Sequence, residues 1–448
     1  MPGASPPARG FSWRLRERGR VTRVSDEPGL EPTPPPAHPA YRQVTGLREI
    51  ALAAYGPTAL ASVGTGAVLP ILALTALDLG ASVGTAAVVV ALMGVGMVLG
   101  DLPAGALAAR IGERRALLFA ALAEGIGMVG AGLARSVIAL AASVLVMGLA
   151  GSVFGLARHA YLTEVVPPWL RARALSTLGG VHRIGIFAGP FLGAVAVTHW
   201  GTRAAYAVGV TFAVLAALLV ALVPDLARHT EEGRVSDASA TERPASVISV
   251  LVAHRRVLTT LGIGVLAVAA TRSARNAIVP LWAEAIGLDA ASTSLVFGIS
   301  GAADMLLFYP AGWAMDRFGR VHVAVPSMLV LGLGMVLVPF AGSFWSLVAV
   351  ATVLGVGNGI GSGILMTLGA DASPVAGRTQ FLGGWRLMGD LGWAAGPALV
   401  SAVAVVASLG GAAAAMGAVA WLGAAWLRVW VPRYDPRRRA AESVSDPS

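Results

Sequence analysis

Residues 103–115 read Pro103-Ala-Gly105-Ala-Leu-Ala-Ala-Arg110-Ile-Gly112-Glu-Arg114-Arg115, and residues 310–320 read Pro310-Ala-Gly312-Trp-Ala-Met-Asp316-Arg317-Phe-Gly319-Arg320. The two segments lie 207 positions apart, and the same offset recurs farther along the chain. Glu164, Pro167 and Arg171 meet Asp371, Pro374 and Arg378, while Gly185, Gly189 and Pro190 meet Gly392, Gly396 and Pro397. A chain rich in glycine and alanine can repeat one such match by chance, but not a series in one register that includes charges. The sequence is therefore read as a duplicated unit, with each half supplying the same structure.

Composition says what that structure is. Hydrophobic residues make up 56% of the 448 residues and charged residues only 13%, with a mean hydropathy of +0.73. That is too little charge to cover a water-exposed surface, so most of the chain is solvated by lipid. A span takes about 20 apolar residues, which leaves room for a dozen spans with short connections. Apolar runs predict spans at 51–76, 83–107, 116–134, 137–160, 176–198 and 205–224. A second set follows at 257–282, 293–315, 322–341, 344–367, 384–407 and 410–431. The expected division is a disordered basic cytoplasmic tail (1–47), a six-helix bundle (48–224), a cytoplasmic linker (225–256), a second six-helix bundle (257–431) and a cytoplasmic tail (432–448).

All 33 basic residues are arginine, and their placement sets orientation. The tails and even-numbered connections hold Arg110, Arg114, Arg115, Arg171, Arg173, Arg228, Arg234, Arg243, Arg255, Arg256, Arg317, Arg320 and Arg378, whereas the opposite connections hold only Arg135 and Arg203. Positive charge stays on the cytoplasmic side, which puts both termini there. The same distribution argues against nucleic-acid binding, because the basic residues mark topology and form no single footprint. The chain has no cysteine, so it has no disulfide, thiolate chemistry or cysteine metal site.

The stretch from Gly105 to Arg115 resembles the signature Gly-x-Leu-Ala-Asp-Arg-x-Gly-Arg-Lys/Arg of the major facilitator superfamily of secondary transporters, and Gly312 to Arg320 is its second copy. The resemblance spans residues 50–431 and implies two pseudo-symmetric six-helix bundles. It also implies that Gly105, Arg110, Gly112 and Arg114, with Gly312, Asp316, Arg317, Gly319 and Arg320, form a conformational latch at the cytoplasmic rim. The first copy departs from the pattern: Ala109 stands at the Asp position and Glu113 replaces a basic residue. On span five, Gly185, Gly189, Pro190 and Gly193 resemble an element of the antiporter branch. Small-residue faces also serve plain helix packing, and Pro permits a bend. A further arginine of that family, on span four, is missing: its position is Val144.

Ionisable groups inside spans are the candidate site, since each needs a partner, a wet cavity or a function. Asp101, Glu124, Arg272, Arg275, Asp304, Arg386 and Asp390 qualify. Arg272 and Arg275 share one face of span seven, either as an anion or polar-substrate contact or in a permanent salt bridge to Asp304 or another carboxylate. A carboxyl held in low dielectric takes up a proton more readily, which makes Asp304 the first candidate proton carrier and Asp101 the second. Glu124, mid-span three, is a further candidate for proton exchange, with a bond to a neighbouring helix as the alternative because span three is peripheral in the fold the resemblance implies. Arg386 and Asp390, four apart, can satisfy each other. His182 and Arg183 are placed near the cytoplasmic end of span five, and Arg158 and His159 at the end of span four, where a rim position suffices.

No nucleotide-binding loop, metal-ligand cluster or nucleophile motif is present. The expectation is a non-enzymatic secondary transporter of the cell membrane, working by alternating access without cofactors. Its first form is proton-coupled efflux of an amphipathic compound. The alternatives are a proton symporter importing an anionic metabolite, and a non-transporting sensor or scaffold. The expected partners are a small-molecule substrate, protons and the lipid bilayer, with no nucleic acid, and the monomer is the expected working unit.

Overall fold

The twelve apolar runs are too long for strands and must satisfy their own backbone groups in lipid, which a helix does within one segment. The computed structural model describes residues 51–166, 170–223, 247–374 and 377–434. The tail expected at 1–47, most of the 225–256 connection and most of the 432–448 tail lie outside the described residues. Twelve helices are long and apolar enough to span a membrane. They are α1 (Ala51–Asp78), α2 (Val83–Ile111), α3 (Glu113–Leu133), α4 (Val137–Val165), α5 (Arg171–Trp200) and α6 (Ala204–Leu222) in the first half. The second half supplies α7 (Arg255–Ala285), α8 (Ala290–Phe318), α9 (Val321–Phe340), α10 (Phe344–Ala372), α11 (Arg378–Val406) and α12 (Leu409–Tyr434). A short helix, Val247–Ala253, precedes α7.

Several helices outrun the apolar stretches that predict them, α4, α5 and α11 by about a turn or more at the arginine-rich end. Hydropathy marks where lipid ends, and the helix continues past that point on polar residues. At the opposite end, Ser82, Ser136, Asp289, Ser343 and Ser408 cap α2, α4, α8, α10 and α12. Each side-chain oxygen takes one orphan backbone N–H, worth about 1 kcal/mol. Gly112 and Gly319 close α2 and α8 with φ of 83° and 94°. A side chain there would strain the backbone, which explains both glycines of the repeated signature.

The halves pack alike. In the first, α1 lies against α5 and α6, α2 against α4, and α3 against α4 and α6; in the second, α7 lies against α11 and α12, α8 against α10, and α9 against α10 and α12. The bundles meet along α2 with α11 and α5 with α8, and the second half of α1 also touches α7 and α8. The antiporter-like glycines sit on the α1–α5 seam: a Cβ at Gly185 would lie 2.5 Å from Ser62 Cβ, and one at Gly193 3.0 Å from the Ala67 carbonyl. Gly392, their counterpart on α11, does the same on α7, where a Cβ would lie 2.5 Å from the Leu266 carbonyl. Close helix approach therefore accounts for both copies.

Rim arginines fasten each bundle to itself. Arg114 donates to the carbonyls of Val220 (3.0 Å), Ala221 (3.1 Å) and Val223 (2.5 Å) at the C-terminal end of α6. There it complements the negative end of the helix dipole. Arg320 pairs with Asp371 of α10 at 2.7 Å.

Candidate functional site: a charged cavity between the bundles

A cavity of about 390 Å³ lies where the bundles face each other, lined from α1, α2, α3, α4, α5, α7, α8, α10 and α11. Its volume suits a small organic molecule. The wall includes Met93, Met97, Met147, Phe187, Met305 and Trp393, and five arginines reach it: Arg158, Arg183, Arg272, Arg275 and Arg386. Glu124 and Asp304 are its acidic members.

On the first bundle, Thr65 of α1 donates to Glu124 Oε1 at 2.7 Å. Glu124 thus bonds a neighbouring helix, and although α3 packs within its own bundle, this side chain reaches the cavity wall. Ser62 Oγ lies 2.6 Å from His182 Nδ1, and Arg158 Nη1 lies 3.5 Å from the same nitrogen. A guanidinium only donates, so this network assigns Nδ1 as the acceptor and the Ser62 hydroxyl as donor. His182 and Arg183 are far from the rim: α5 begins at Arg171, and eleven or twelve residues at 1.5 Å each carry them about 17 Å inward.

Arg183 accordingly crosses between the bundles. Its Nη1 donates to Asp304 Oδ1 of α8 at 2.8 Å, and its guanidinium lies over the Phe308 ring, 4.9 Å from the centroid. Asn358 Nδ2 donates to the other Asp304 oxygen at 2.8 Å. The expected bridge from Asp304 to Arg272 or Arg275 is not the one formed, because α8 packs on α5 and α10 and turns Asp304 toward them. Arg272 instead donates from Nη2 to the carbonyls of Gly361 (2.7 Å) and Asn358 (3.4 Å). Arg275 has no hydrogen-bond or ion-pair partner among the described residues, and its Nε and Nη1 are shielded from solvent.

Arg386 is the second cation to cross. Its Nε lies 3.3 Å from Asp101 Oδ1 of α2 and 3.4 Å from Asp390 Oδ2 on its own helix, and Ser152 Oγ donates to the same Asp101 oxygen at 2.5 Å. The Arg386–Asp390 pair read from spacing is present, but it is shared with Asp101. Gly155 makes room for Arg386, since a Cβ there would lie 3.1 Å from Nη2. The structure therefore gathers all seven predicted intramembrane residues at or beside one cavity and adds Arg158, His182 and Arg183. The duplication carried a signal for Arg183, because the 207-residue offset maps it onto Asp390.

Two six-helix bundles enclosing a polar cavity at mid-depth define a polytopic membrane transport protein. The family model of the Major Facilitator Superfamily matches residues 58–271 and 261–447, and the chain belongs to that superfamily. Among curated relatives, the multidrug resistance protein MdtH of Salmonella arizonae is 25% identical over 294 residues, covering 65% of this chain and 70% of that relative. MdtH of Enterobacter sp. (strain 638) is 26% identical over 302 residues, covering 65% and 71%. A crystal structure of a variant of the nucleoside transporter NupG shares the fold with a TM-score of 0.70 and 13% identity, covering 85% of this chain and all of that one.

Proposed function

We propose that this chain is a secondary active transporter of the cell membrane that moves a small amphipathic compound, unmodified, by alternating access of the central cavity, with protons as the driving ion and export as the direction. The observation that carries this reading is the cavity itself, which joins a methionine- and aromatic-rich wall to buried ionisable groups. Methionine side chains adapt to varied apolar shapes, in keeping with the multidrug relatives. The arginine-rich end is assigned to the cytoplasm with both termini, and the monomer holds a whole cavity. Accessible tags at residues 230–245 on the outside of intact cells would overturn that orientation.

The proton is placed on the Asp101–Asp390 pair ahead of Asp304. Both Asp304 oxygens are already held by donors from Arg183 and Asn358. At Arg386 two carboxylates share one guanidinium, and a proton is what balances the extra charge. The signature loops retain their proposed latch role, with Asp316 in the complete copy.

A second reading, uptake of an anionic metabolite with a proton, is favoured by the five arginines that face the cavity. The sign of linkage separates the two: an exchanger needs proton and cargo to displace one another, and a co-transporter needs them to favour one another. The test is flux in sealed vesicles under an imposed pH gradient, with a pH dye inside and a panel of amphipathic compounds outside. Cargo accumulation against the proton flow supports export, and accumulation with it supports uptake. Neither cargo nor proton movement for any compound would leave the sensor or scaffold reading.

A further inference from the structure

Four of the five cavity arginines have an acceptor or close polar neighbour. Arg183 holds Asp304, Arg386 holds Asp101 and Asp390, Arg272 holds the Gly361 carbonyl, and Arg158 stands beside His182. Arg275 differs. It lines the cavity and forms no hydrogen bond or ion pair among the described residues: Arg158 and Arg272 each leave one buried Nε without an acceptor, and Arg275 leaves both Nε and Nη1. A guanidinium shielded from water without an acceptor is strongly unfavourable, and an anion that meets it when the bundles rock and open this face to the cavity relieves that.

We propose that Arg275 anchors the acid group of the cargo and that the cargo is an amphipathic monoanion, a carboxylic acid with an apolar body. This rests on the transport reading above but holds for either direction of transport. Charge sets the valence. Around the cavity, Arg158, Arg183, Arg272, Arg275 and Arg386 face Asp101, Glu124, Asp304 and Asp390. Once the Asp101–Asp390 pair has released its proton and every carboxylate is ionised, one positive charge is left over, which a single acid group cancels. Geometry sets the head group, because two adjacent guanidinium N–H groups, once the moving bundles open them to the cavity, match the two oxygens of a carboxylate. The apolar body then lies along Met93, Met97, Met147 and Met305, with Phe187 and Trp393 as flat surfaces.

The test uses the full chain in lipid nanodiscs and a graded series of carboxylates from benzoate to octanoate, each paired with its primary amide and primary amine. Binding is read by thermal stabilisation and by calorimetry. The expected result is that at least one carboxylate binds roughly tenfold or more tighter than its amide, the range of a charge-assisted hydrogen bond, and that its amine does not bind. R275Q should remove the carboxylate's advantage, lowering the acid's affinity roughly tenfold and the amide's much less, and R275K, which keeps charge but not the fork, should retain only part of it. If R275Q fails to fold, R275K alone decides, since full carboxylate affinity there would deny the fork its role. Amides or amines binding as well as acids, no carboxylate binding, or an undiminished preference in R275Q would each overturn the proposal. Failure of the transport reading looks different: carboxylates bind, yet no gradient moves them.

Discussion

The seam of α5 with α8 and the seam of α2 with α11 are related by the internal repeat and packed alike, yet they balance charge differently. At the first, one carboxylate, Asp304, meets one guanidinium and one amide, and both its oxygens are occupied. At the second, two carboxylates converge on the Nε of Arg386 at 3.3 and 3.4 Å. At the 207-residue offset, Asp304 corresponds to Met97 and Arg183 to Asp390, so the ion pairs stand one turn apart in the duplicated frame. Two copies of one scaffold have thus come to hold the bundles together by different chemistry. One seam sets a single carboxylate on a single guanidinium, and the other sets two carboxylates on one.

The comparison breaks most sharply at Asp304. D304N leaves Arg183 without its counter-charge at a part-buried seam, a loss of roughly 2–3 kcal/mol. Folded yield and thermal midpoint should fall steeply, and R183Q added to D304N should restore much of both. Normal yield of D304N would show that this pair does not hold the seam.

D101N or D390N alone should be milder, because each leaves Arg386 one carboxylate. The expected loss of proton-driven flux is about tenfold, with cargo exchange at equal pH on both sides preserved. The double variant strands Arg386 and should resemble D304N in yield. Unchanged proton-driven flux in either single variant would remove the proton from this pair.

The two copies of the signature extend the contrast to the rim. D316N, in the complete copy, should slow transport several-fold, while A109D should change it less than twofold by the same vesicle assay. Equal effects would reduce the loops to topology markers. Smallest of all, R114A frees the α6 carbonyls and should lower stability by about 1 kcal/mol, a shift of a few degrees in the thermal midpoint. A larger shift would show that Arg114 reaches beyond its own bundle.

The fold was legible because lipid imposes one rule on every span, and because the repeat placed both halves in register. The site was legible wherever a charge interrupts an apolar run, which is how Asp101, Glu124, Arg272, Arg275, Asp304, Arg386 and Asp390 stand out. Partnership was less so. Hydropathy places the start of α5 at residue 176, and the helix begins at Arg171, so Arg183 and His182 read as rim residues. Which acid Arg183 meets depends on how α8 turns against α5, and no local pattern encodes that.

One feature of α10 ties the rim to the cavity. The helix stops at Ile360 and resumes at Ile364 after Gly363, whose φ is 78°. The nine-residue piece Ile364–Ala372 is therefore a lever with a fastening at each end. Asp371 holds its outer end to Arg320, and the Gly361 carbonyl at its pivot is held by Arg272. A tilt of the signature turn between α8 and α9 would pull the outer end of the lever and shift the pivot carbonyl. Arg272 would follow, and a charge on the cavity wall would be repositioned without any side chain at the rim having entered the cavity.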